Sequence, residues 1–111
     1  MTDFIDFQTF KRPPKPNNWL VAPDGFADAA LPDESSPVFD RTPSALFEDI
    51  MQMVAARGDW KIKASDPAAG RISFTAVTKL LRFKDDIDIL VLPVAGHDHQ
   101  STLVVYSRSR V

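Results

Sequence analysis

The chain has 111 residues, no cysteine, a hydrophobic fraction of 44%, a charged fraction of 25% and a formal charge of −2. That length supports one core and one domain, and the missing cysteine removes disulfides, thiolate metal sites and cysteine nucleophiles. The near balance of 13 basic and 15 acidic residues gives no long-range pull towards phosphate backbones, so the sequence predicts no nucleic-acid partner.

Residues 1–37 hold six of the nine prolines, and three Lys/Arg against six Asp/Glu. So many prolines argue against a long helix or a central strand there. The same stretch carries Phe4, Ile5, Phe7, Phe10, Trp19, Leu20, Val21 and Phe26, too much apolar surface for a solvated tail. We therefore expect residues 1–37 to form an extended, proline-rich N-terminal strap docked on a domain of residues 38–111. Residues 1–10 include Asp3 and Asp6 and lack a basic start followed by an apolar run, so they do not read as a signal peptide. No run approaches the roughly 18 apolar residues of a membrane span. A cytoplasmic location and no membrane span are the corresponding expectations.

Thr42-Pro43-Ser44 reads as a helix start, with Thr42 as the cap and Pro43 at the first helical position, where no donor is needed. Leu46, Phe47, Ile50, Met53 and Val54 then recur at three- and four-residue spacing, and Gly58 is the expected stop. Beyond Gly58 the period becomes two. Trp60, Ile62 and Ala64 alternate with lysines, residues 66–70 supply a turn, and Ile72, Phe74 and Ala76 alternate with Arg71, Ser73 and Thr75. Ile87, Ile89 and Val91 then lead through a polar loop at 93–100 into alternation over 102–107, a second hairpin. Residues 77–83 lengthen the preceding strand or cross the sheet edge, and Val38-Phe39 offers an edge strand. The predicted fold is α+β: one amphipathic helix packed on an antiparallel sheet of four to five strands, with the strap alongside. A chain ending on a strand exposes an edge, which predicts a homo-oligomer formed by edge pairing.

Catalytic signatures are missing. No Gly-x-Ser-x-Gly pattern occurs, and glycines at 25, 58, 70 and 96 are too scattered for a phosphate loop. His97-Asp98-His99 carries metal-ligand chemistry, but between Gly96 and Gln100 it reads as a solvated turn, and no metal or other cofactor is expected. Trp19, Trp60 and Phe83 read as core residues rather than a stacking platform. Two polar groupings remain. Asp85, Asp86 and Asp88 bring three carboxylates within four residues, with Asp86 and Asp88 on one strand face. In Ser107-Arg108-Ser109-Arg110 both arginines project from the opposite face to both serines, and their guanidiniums match carboxylate or phosphate. Cross-strand ion pairing on a solvent face is the simpler account of these groupings, and a polar ligand site is the alternative.

Lys15-Pro16-Asn17 with Leu20-Val21-Ala22-Pro23, then Leu81-Arg82-Phe83-Lys84-Asp85-Asp86, then Ser107-Arg108-Ser109-Arg110-Val111, in that order, resemble the bacterial family named domain of unknown function 1499. In that family the last stretch usually runs on into a further segment and a final helix, so the resemblance implies a chain that stops short of it. The motif positions carried over are Asn17, Phe83, Asp85, Asp86, Ser107, Arg108, Ser109 and Arg110, and the resemblance implies no activity. The expected function is a non-catalytic binding or interaction module whose Asp/Arg patch takes a small anionic ligand or a protein partner. The alternative is a small enzyme using Asp85 or Asp86 as general base and Arg108 or Arg110 to hold an anionic substrate.

Overall fold

A computed structural model describes residues 4–8, 18–26, 32–77 and 84–109. Its elements in chain order are β1 (Asn18–Ala22), β2 (Glu34–Ser35), α1 (Pro43–Ala55), β3 (Trp60–Asp66), β4 (Arg71–Val77), β5 (Lys84–Val94) and β6 (His97–Ser109). The strands form one six-stranded sheet in the order β2-β1-β6-β5-β4-β3.

The helix begins where its sequence requires. Thr42 is extended and its hydroxyl accepts the Ala45 backbone N–H at 3.2 Å, with Pro43 in the first turn. Leu46, Phe47, Ile50 and Val54 are buried, while Met53, expected on the same face, is 44% exposed. The helix ends at Ala55 with Ala56 as its cap, short of Gly58, which is not among the glycines with positive φ. The helix face packs on Ile72, Phe74, Ala76, Ile89 and Val91, with Phe39, Trp60 and Ile87 at the margins.

Both expected hairpins form. Gly70, at φ 69, closes the β3–β4 turn with its N–H donating to Pro67 O at 3.2 Å. The β5–β6 connection is shorter than expected: Val94 pairs with His97 across Ala95 and Gly96 (φ 78), a two-residue turn. Residues 97–100 therefore open β6 rather than forming a loop, with a register shift beside Pro93.

The sheet differs from expectation in three ways. It has six strands rather than four to five, and it is mixed rather than antiparallel, because β1 pairs with β2 in parallel through Val21↔Glu34 and Ala22↔Ser35. Secondly, β1 lies inside the sheet, antiparallel to β6 on its other side. Prolines 13, 14, 16 and 23 flank this segment without interrupting 18–22, so the local run keeps all its donors. The final strand β6 is consequently interior, and the sheet edges are β2 and β3. Phe39 contributes an isolated antiparallel bridge to Ser101 rather than an edge strand. Thirdly, Lys63 is an extra residue in β3, between the pairs Ile62↔Phe74 and Ala64↔Ser73. This bulge turns Ala64 away from the face that Trp60 and Ile62 share.

The face away from the helix is also covered. Phe7 (2% exposed) is buried against Leu20, Ala22, Val104 and Tyr106, with Ile5, Phe26, Leu90 and Leu92 around them. The sheet thus separates two apolar clusters, and Ser73, Asp86 and Asp88 on its second face are enclosed rather than solvated.

Candidate functional site

Register assembles the polar residues of that second face. One row runs Asn18–Arg108–Asp86–Thr75 across β1, β6, β5 and β4, and the next runs Leu20–Tyr106–Asp88–Ser73. Two of the three motifs behind the family resemblance therefore meet on adjacent strands, through the pair Asp86↔Arg108, and Leu20 of the first motif lies beside Tyr106 in the next row.

The ion pairs run diagonally rather than straight across. Arg108 Nη1 donates to Asp88 Oδ2 at 3.1 Å, and Lys63 Nζ, aimed by its bulge, donates to Asp86 Oδ1 at 3.1 Å. These pairs are not on a solvent face. The Asp88 side chain is 2% exposed and that of Asp86 11%, against 36% for Arg108 and 39% for Lys63. Each pair buries its carboxylate and leaves its cation at the rim. The Arg108 guanidinium also lies 5.6 Å from the Tyr106 ring centroid.

Arg71 extends the cluster. Its Nη2 donates to the Ile5 carbonyl, and its guanidinium lies 5.2 Å from the Phe4 ring and 5.0 Å from the Phe7 ring. Burial pushes the Arg71 guanidinium below its ordinary value, while the carboxylates of Asp88 and then Asp6 push it upwards. Three buried polar atoms here have no hydrogen-bond partner among the described residues: Arg71 Nε, Ser73 Oγ and Asp88 Oδ1. Ser73 faces Asp88 directly across β4 and β5, and Arg71 sits two residues before Ser73 on the same face.

The remaining candidates fall elsewhere. Asp85 lies on the opposite face from Asp86, in the row Ser109–Asp85–Ala76–Trp60, so the two carboxylates do not share a site. Ser107 pairs with Ile87 and Trp19 on the helix side. Asn17, Phe83 and Arg110 lie outside the described residues, as does most of the 77–83 segment. Trp60 stacks on Phe74 at 5.3 Å, beneath the Arg57 guanidinium, and three strands separate its strand from that of Trp19. His97, Asp98 and His99 are exposed beside a cavity of about 470 Å³ that Asp40 and Gln100 also line, with Gln100 Nε2 donating to Asp40 Oδ1 at 3.0 Å. Among the described residues no group of three potential ligands is placed to hold a metal ion. A groove of about 520 Å³ lies between the start of α1, the β3–β4 turn and β5, lined mainly by apolar residues such as Phe47, Pro67 and Leu92.

Arg71 and Ser73 carried no signal in the sequence as site residues. They alternate with Ile72 and Phe74 like any solvent-facing positions, and the rings of Phe4 and Phe7 that lie against Arg71 come from far away in the chain.

The family model described as "Protein of unknown function (DUF1499)" matches residues 11–111. The chain belongs to that family. Within this DUF1499 chain the match covers every strand, the helix and all the polar cluster except what residues 4–8 contribute. No curated protein and no solved structure matches it. No helix among the described residues is long and apolar enough to cross a membrane.

Proposed function

We propose that this DUF1499 chain is a non-catalytic binding module whose site is the enclosed polar cluster of Arg71, Ser73, Asp86, Asp88 and Arg108, and that its ligand is small and polar. One observation carries this reading: Asp88 is 1% exposed, one of its oxygens is held by Arg108, and the other, like two further buried polar atoms, has no hydrogen-bond partner among the described residues. A buried acceptor left open costs about 1–3 kcal/mol, and retaining three together is accounted for if a ligand completes them. The reading rests on binding rather than on general-base chemistry because Asp86 is committed to Lys63 and Asp85 faces the other way. A bacterial, cytoplasmic setting belongs to the same proposal.

The test is chemical-shift mapping of the 15N-labelled chain against a library of small polar and apolar fragments. Saturable shifts are expected at residues 71–73, 86–88 and 106–108. Hits confined to the groove beside the start of α1, or none at all, would sink the proposal.

A further inference from the structure

We infer that the groove of about 520 Å³ between the start of α1, the β3–β4 turn and β5 is a second site, apart from the polar cluster, and that it takes a small organic cation, a primary amine on a short apolar body. Its volume lies within the range of small-molecule pockets. Three elements each contribute a proline to its walls, Pro43 from α1, Pro67 from the turn and Pro93 from β5, and Phe47, Val91 and Leu92 add further apolar surface. Each proline ring fixes its own φ, so these walls are formed in advance of any ligand.

The groove is poor in donors and carries an open acceptor. Its three prolines have no N–H, and the N–H groups of Ala69, Gly70 and Val91 already donate to Asp66 Oδ1, Pro67 O and Gly70 O. Among the described residues no lysine, arginine or histidine lines it. Glu48 does line it, is exposed, and makes no hydrogen bond or ion pair among the described residues. The two neighbouring arginines are engaged elsewhere. Arg41 holds Asp49 through two hydrogen bonds of 2.9 Å, and Arg71, although it follows Gly70, donates to the Ile5 carbonyl on the sheet's second face. An ammonium group at the rim supplies both the donors and the charge that Glu48 lacks, while its apolar body lies along the prolines and Phe47. A carboxylate or phosphate there meets a like charge and finds few donors.

The experiment titrates the 15N-labelled chain, at fixed pH and ionic strength, with phenethylamine, and with phenethyl alcohol and 3-phenylpropionate as neutral and anionic probes of similar shape. Phenethylamine is expected to shift the amides of Phe47, Glu48, Gly70 and Val91 saturably and to bind more tightly than the other two. Glu48→Gln, a change at an exposed position, should raise its Kd about two- to fivefold, the worth of one exposed ion pair. The alcohol or the phenylpropionate binding as tightly as the amine, or amine binding untouched by Glu48→Gln, overturns the cation assignment. No saturable shift of those amides, or saturation at Ser73 and Asp88 in their place, overturns the site itself.

Discussion

Asp88 and Arg108 sit on diagonal positions of neighbouring strands, and the burial of the two ends is unequal: 2% of the Asp88 side chain is exposed against 36% of Arg108. Removing the arginine leaves a buried carboxylate with no described hydrogen bond, because Asp88 Oδ1 already has none. Breaking a fully buried pair from one side costs about 3–5 kcal/mol, and the partial exposure of Arg108 brings this to about 2–3 kcal/mol for Arg108→Ala. Lys63 holds Asp86 through a more exposed pair, and Lys63→Ala should cost under about 1 kcal/mol. Urea unfolding, with slopes compared so that only midpoint shifts count, checks the contrast; equal losses would show that the two pairs are equally enclosed.

At the scale of the elements, the β3–β4 turn is the most tightly specified junction. Gly70 has φ +69, and a Cβ there would lie 2.8 Å from the backbone oxygen of Val91, while its own carbonyl accepts the Val91 N–H at 2.8 Å. Neither strand can retreat without losing that bond, so Gly70→Ala should cost at least about 2 kcal/mol. Gly58 has ordinary φ and open space around its Cβ position, and Gly58→Ala should stay within about 0.5 kcal/mol. Thermal unfolding of the two variants measures the difference. Local signals explain why such elements were legible: Thr42-Pro43 marks the helix start, period-two alternation marks β4 and β5, and the pairing of Asp86 with Arg108 follows from antiparallel order. What escaped was set by contacts distant in sequence. Met53 has the spacing of a core residue but is 44% exposed, Lys63 bulges because of how β3 meets β4, and β1 becomes interior through its pairing with β6 and β2.

Over the whole molecule, the feature that shapes the polar cluster is that the sheet is covered on both sides. Alternation assigns Arg71, Ser73, Asp86 and Asp88 to one face, and with only a helix in view that face would be solvent. The burial of Phe7 against Leu20, Val104 and Tyr106 makes it an interior and turns ordinary polar positions into enclosed ones. The same arrangement bears on self-association. The interior placement of β6 moves the exposed edges to β2, two residues long, and to β3, which carries a bulge and two lysines, both features that blunt edge pairing. On the binding reading proposed above, the cluster rather than a sheet edge is the candidate surface for recognition.

If the cluster serves a ligand rather than the fold, apolar side chains of similar volume should replace it without loss. The most direct measurement is the unfolding free energy of the chain carrying Arg71→Met, Ser73→Ala, Asp88→Leu and Arg108→Met together. The account predicts a folded protein at least as stable as the original, and up to about 4 kcal/mol more so, because the desolvation of the charges and the three open polar atoms are removed at once. A loss of more than about 2 kcal/mol would contradict it, by showing that the charged network holds the two sides of the sheet together.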